Sequence, residues 1–211
     1  MCSSDLGANG TLTLDDALTG VASVGATGSA TSGAITLLAD GDVTVNASLE
    51  TGTADTVDGD ATSGLVSVTS SNGSVAMSAA TVMTGDATVT GNGTATSGAI
   101  TLTAERNVDS DALSTGVASA AEGDATSGAI DVVATSGNVT LTTVTSGDAT
   151  VAGNGTATSG AITLTASGAN GTLTLDDALT GVASVGATGS ATSGAITLLA
   201  DRKSTRLNSS H

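Results

Sequence analysis

The sequence predicts an all-β protein: a repetitive β-solenoid, of the parallel β-helix kind, built from units of about 32 residues. Three observations predict it. The first is a phrase that occurs six times. It reads Ala30-Thr31-Ser32-Gly33-Ala34-Ile35, then Ala61 to Val66, Ala95 to Ile100, Ala125 to Ile130, Ala157 to Ile162 and Ala191 to Ile196. Its glycines lie 31, 34, 30, 32 and 34 residues apart, and a period in this range marks stacked or arrayed units. The second is alternation. In Ala161-Ile162-Thr163-Leu164-Thr165-Ala166 the apolar residues fall on every second position, the pattern of a half-buried strand. The third is what is missing. There is no Phe, Tyr or Trp to supply the large buried areas of a thick globular core, so a thin core of Val, Leu, Ile and Ala is expected.

The elements follow in chain order. Met1-Cys2-Ser3-Ser4-Asp5-Leu6 resembles one strand of a sequencing-library adapter translated in frame. Asp201 to His211 resembles the other strand, and it carries three of the four basic residues and the only His. Residues 1–6 and 201–211 are therefore expected to be adapter-derived, and fold reasoning rests on the array of six units over 7–200. Without Asp5 and Asp201 that array has 18 acidic residues against one basic residue, Arg106, a net charge of −17.

Within a unit, Gly10-Thr11-Leu12-Thr13-Leu14 and Asn138-Val139-Thr140-Leu141-Thr142 repeat the alternation, with Thr on the outer face where it suits a pleated surface. Ser-Gly, Gly-Asp and Asn-Gly steps separate the runs and supply turn chemistry. Gly91-Asn92-Gly93 and Gly153-Asn154-Gly155 are read as turns, not phosphate loops, since no Lys follows. A unit is thus three or four short strands joined by tight turns. One unit cannot bury its own apolar face, so copies stack, Ile over Ile and Leu over Leu. The alternative arrangement is a string of small β-sandwiches, which ordinarily needs larger modules and larger core side chains. Whether one unit makes one coil is open at this level.

A second order lies above the first. Residues 85–104 nearly repeat as 147–166, so the last four units alternate between two types. Residues 7–40 recur unchanged as 168–201, through recent duplication or through false assembly of similar repeats.

Composition excludes several functions. One Arg and no Lys in 7–200 cannot neutralise a nucleic-acid backbone or an anionic membrane. Ser is abundant, but no His, Cys or Lys is present in 7–200 to activate it, and transition-metal ligands are absent with them. The adjacent acids Asp15-Asp16 and Asp176-Asp177, and the spaced pairs Asp58/Asp60 and Asp109/Asp111, read as solvated turn residues in preference to a glycosidase pair. No catalytic activity and no required cofactor are expected. Calcium is the candidate cation, because it takes oxygen ligands from carboxylates and carbonyls. Asp40-Gly41-Asp42 and Asp58-Gly59-Asp60 place two acids around a glycine and are its candidate ligands, with no EF-hand loop around them. The seven Asn-x-Ser/Thr triplets, at Asn9, Asn46, Asn72, Asn92, Asn138, Asn154 and Asn170, are read as turns. The outward Thr rows are too irregular for an ice-binding array.

Runs such as Ser159-Gly160-Ala161-Ile162-Thr163-Leu164-Thr165-Ala166 and Ser136-Gly137-Asn138-Val139-Thr140-Leu141-Thr142-Thr143 resemble the repeats of filamentous-haemagglutinin-type adhesins and bacterial β-strand-repeat exoproteins. The resemblance implies a secreted right-handed parallel β-helix, extracellular or at the cell surface, acting as stalk or adhesive fibre. Its implied partners are surface or matrix glycans or proteins and the neighbouring repeats of its own chain.

Overall fold

The computed structural model describes residues 10–201, which form 24 β-strands and no helix. The chain winds through six coils, and every coil visits three faces in the same order. In coil 1 these are Leu12–Leu14 with Ala17–Leu18, then Ala22–Thr27 with Ala30–Thr31, then Ile35–Ala39. In coil 5 they are Val139–Thr145, then Ala149–Val151 with Gly155–Thr158, then Ile162–Ala166. Coil 6 ends on Ile196–Ala200. Each strand pairs in parallel with its counterpart in the next coil, giving sheets of eight, ten and six strands on the first, second and third faces.

One unit is one coil. On the third face Ile35, Val66, Ile100, Ile130, Ile162 and Ile196 stand in register and advance by 31, 34, 30, 32 and 34 residues, the spacing of the repeated glycine. Six coils at one strand spacing each give a stack roughly 25 Å high. The alternation read in the sequence holds: Ile162 and Leu164 are fully buried, while Thr163 and Thr165 are half-buried on the outer side. The bridging hydrogen bonds are regular, with Ile35 N–H donating to Leu65 O, Val66 N–H to Ala99 O and Ile100 N–H to Ala129 O at 2.9–3.0 Å.

The interior is two cores. The larger lies between the first and third faces and is filled by Ile, Leu, Val and Met, including Leu37, Leu49, Met77, Leu102 and Leu164. The smaller lies inside the second face and is lined almost entirely by Ala, in rows such as Ala54, Ala87, Ala118 and Ala149. Burial of a Leu or Ile is worth about 1.5–3 kcal/mol and of one methyl-sized group about 0.8 kcal/mol. The second lobe therefore depends more on its hydrogen-bond ladders than on apolar burial.

A seam of hydroxyls divides the two cores. At the Ser-Gly corner, Ser97 Oγ donates to Gly116 O (2.6 Å) and accepts from Gly128 N–H (2.8 Å). At the facing corner, Thr84 Oγ1 donates to Gly98 O (2.7 Å) and accepts from Gly116 N–H (3.0 Å). The same two-way bonding repeats at Ser32, Ser63 and Ser127 and at Thr19, Thr51, Thr115 and Ser146. Each hydroxyl both donates and accepts, so it can be buried without an orphaned group. The glycines beside them are required by closeness. A Cβ on Gly64 would lie 1.8 Å from Gly33 O, and one on Gly98 2.0 Å from Gly64 O.

One local expectation is corrected. Gly91-Asn92-Gly93 is not a free-standing turn but lies inside the strand Ala87–Thr96, where the register shifts between Val89 and Asn92. The irregularity lets the strand bend without leaving the ladder, and Gly59 N–H still donates to Asn92 O. Gly153-Asn154 does form a bend, and strand resumes at Gly155.

Candidate functional site

The chemistry-bearing side chains of this chain are its acids, and the fold places them on the outer surface and at the corners. Asp40, Gly41 and Asp42 form the corner between Ile35–Ala39 of the third face and Val43–Val45 of the first. Asp58, Gly59 and Asp60 form the bend inside the second face, between Ala54–Asp58 and Ala61–Thr62. Gly59 there adopts φ +116°, in a column with Gly28 and Gly93, and a Cβ on it would lie 2.3 Å from Gly28 O. The four candidate calcium ligands thus sit as two pairs at two separate corners.

Each of the four carboxylates already accepts a hydrogen bond from the coil above. Asp42 Oδ1 accepts from Ser74 N–H (2.8 Å), Asp58 Oδ1 from Asn92 N–H (2.9 Å) and Asp60 Oδ1 from Thr94 N–H (3.1 Å). Asp40 Oδ1 accepts from Asn72 Nδ2. The bond continues up the stack. Asp86 takes Val117 N–H, Glu122 takes Asn154 N–H, Asp124 takes Thr156 N–H and Asp148 takes Val182 N–H. Asn107 and Asn138 do the same with their side-chain carbonyls, toward Asn138 N–H and Thr172 N–H. Corners interrupt the backbone ladder, and a side-chain oxygen satisfies the N–H left over.

Register adds a second regularity. Asn92 stands opposite Glu122, and Thr94 opposite Asp124. Asp55 lies between Ser23 and Thr88, Asp131 between Thr101 and Thr163, and Glu50 between Leu18 and Met83. Among the strand-paired positions of the described residues, no acid stands over another acid. Directly opposed like charges destabilise a sheet, so the alternation of two unit types has a physical use: an acid in one coil meets a neutral residue in the next.

The Glu105 carboxyl is held below its ordinary value of 4.5. The hydrogen bonds donated by Thr135 Oγ1 and Ser136 Oγ are the main cause, with the neighbouring Arg106 charge adding to them.

The pairs weighed as glycosidase acids are spread over the stack. Asp15, Asp16, Asp176 and Asp177 are exposed in the first and last coils, and Asp109 and Asp111 point outward from Val108–Ser114. Among the described residues, no group of three or more His, Cys, Asp or Glu is gathered closely enough to hold a metal ion. The described Asn-x-Ser/Thr asparagines 46, 72, 138 and 170 lie at bends, turns or strand edges, while Asn9 falls outside the described residues. No described helix is long and apolar enough to cross a membrane.

What the reading of the sequence missed is the hydroxyl seam. Its signal was present: a Thr-Gly or Ser-Gly step, at Thr19, Thr51, Thr84, Thr115, Ser146 and Thr180, precedes each Ser-Gly by 12 or 13 residues. No family model, no curated protein and no solved structure matches this chain.

Proposed function

We propose that this chain is a structural and adhesive repeat segment of a large secreted or surface-attached bacterial protein, without catalytic chemistry of its own. The observation that carries the reading is the use made of the interior. The inner apolar rows, the seam hydroxyls and the corner glycines all serve coil-to-coil contact, which leaves a rod with outer rows of hydroxyl and carboxylate side chains and scattered exposed apolar residues such as Leu38, Leu65 and Val117. Such a rod sets distance and presents a long, repetitive surface, as solenoids do. The absence of His, Cys and Lys over 7–200 agrees with a role that needs no nucleophile or base. The resemblance of its runs to filamentous-haemagglutinin-type repeats supports the extracellular placing.

An antibody raised against the chain tests the placing on source cells. Labelling of intact cells is expected, and labelling only after permeabilisation would sink the surface reading. Beads coated with the chain test adhesion against immobilised matrix proteins and glycans. Retention no better than that of albumin-coated beads would remove the adhesive part and leave a spacer.

Calcium is the second reading, favoured by the two carboxylates that each Asp-Gly-Asp corner carries but weakened by the separation of the two pairs. It predicts a rise in melting temperature in millimolar calcium that Asp58→Asn with Asp60→Asn abolishes. An unchanged melting temperature would remove it.

A further inference from the structure

In the middle of the stack acids recur at every second coil, at two levels that are out of step with each other. At the bend of the second face they fall in coils 2 and 4, as Asp58 with Asp60 and Glu122 with Asp124. Coils 3 and 5 carry neutral residues there. Asn92 and Thr94 donate their N–H groups to Asp58 and Asp60, and Asn154 and Thr156 donate theirs to Glu122 and Asp124. At the corner between the first and second faces the acids fall instead in coils 3 and 5, as Asp86 and Asp148. Coils 4 and 6 carry Val117 and Val182 there, whose N–H groups donate to those two acids. On the third face Asp131 of coil 4 lies between Thr101 and Thr163, and on the first face Asp109 of coil 4 lies between Ala76 and Thr140.

The copying visible in the sequence follows the same step. Residues 85–104 nearly recur as 147–166. The register of Ala87, Ala118 and Ala149 places these stretches two coils apart. A coil set directly on a copy of itself would oppose each of its acids with the same acid one strand spacing away, roughly 4.8 Å. Directly opposed like charges destabilise a sheet. Two coils that carry their acids at different levels avoid this, because each is neutral where the other is charged.

We propose that two coils, and not one, are the unit by which this rod can be lengthened. A longer rod of the kind proposed above then grows in steps of two strand spacings, roughly 10 Å. Each step keeps every carboxylate over a neutral residue.

Insertions into the full chain directly after Ser146 test this by thermal melting. One variant gains a second copy of residues 85–146, which is two coils. Asn92 of the copy then lies over Glu122, where Asn154 stands in the parent, and Asp86 of the copy lies over Val117, where Asp148 stands. The next variant gains a second copy of residues 116–146, which is one coil. Glu122, Asp124 and Asp131 of that copy lie over the original Glu122, Asp124 and Asp131. A third variant is the one-coil insertion with Glu122→Gln, Asp124→Asn and Asp131→Asn in the copy. The two-coil variant is expected to melt at or above the parent, since added coils add neighbour contacts. The one-coil variant is expected to melt roughly 2–10 °C below the parent and to recover in high salt. The amide variant is expected to melt at or above the parent without salt. Should the one-coil variant not fold, a folded amide variant still supports the charge rule and an unfolded one overturns it. A one-coil variant that melts at or above the parent would overturn the two-coil unit. So would an amide variant that melts as low as the charged one, or a two-coil variant that melts below the parent.

Discussion

At the scale of the residue, the stack distinguishes sharply between inner hydroxyls that are paired and one that is not. Ser110 is 2% exposed and its Oγ has no hydrogen-bond partner. It stands in a first-face row between Met77 and Leu141, where every other occupant is apolar. An orphaned buried hydroxyl costs about 1–3 kcal/mol. Ser110→Val is expected to stabilise the chain by about 1 kcal/mol or more in urea denaturation, and a loss of stability would show that the site cannot take the added methyls. Ser97 is the opposite case. Its removal in Ser97→Ala strands both Gly128 N–H and Gly116 O in the interior. A cost of about 2–3 kcal/mol is expected. The outer Ser67→Ala should fall within about 0.5 kcal/mol of the parent. Equal effects from the two would mean that the seam is not a source of stability.

At the scale of the element, each corner is tied to the next by an acidic or amide oxygen, and each outer row alternates charge with neutrality. Thr94→Asp breaks the alternation by filling the position between Asp60 and Asp124. Each new like-charge pair costs about 0.2–1 kcal/mol. The variant should melt lower than the parent and recover most of the difference in high salt, since surface charge is screened. A loss that ignores salt would point to sterics instead. Glu105 gives the corner a pH dependence with a definite sign. Its folded value lies below the ordinary one, so its contribution is fully present above the ordinary carboxylate range and is lost as pH falls through the lowered folded value. Glu105→Gln is therefore expected to lower the melting temperature at neutral pH and to have a smaller effect in strong acid. The same difference at both pH values would remove the charged hydrogen bonds as its cause.

At the scale of the whole molecule, stability is a sum over coils and the contacts between neighbours. Interior coils have a neighbour on both sides, and the last described coil has one. Amide exchange should follow that order, with Ile100–Ala104 among the slowest amides and Ile196–Ala200 among the fastest. Uniform protection along the third face would mean that the six coils unfold as one unit. Along the sides, hydroxyl and carboxylate rows are interspersed with exposed apolar residues such as Leu38, Leu65, Met83 and Val117, and the charged positions among them oppose lateral strand pairing.

The sequence by itself determined the repeat length, the alternation of inner and outer residues and the choice of a solenoid. These follow from local periodicity: Ile162 and Leu164 against Thr163 and Thr165 can be sorted without knowing any neighbour. The Asp-Gly-Asp corners were also visible as acids at turns, but their partners were not. Asp58 meets Asn92 N–H, and Ser97 meets Gly128 N–H, over separations of 34 and 31 residues that only the coil-to-coil register fixes. Tertiary structure alone decided the division of the interior into two cores, the pairing of the seam hydroxyls, and the placing of every strand-paired acid over a neutral residue. The reason is that a parallel ladder brings together residues one full coil apart, and a pattern within one strand carries no information about which residue that will be.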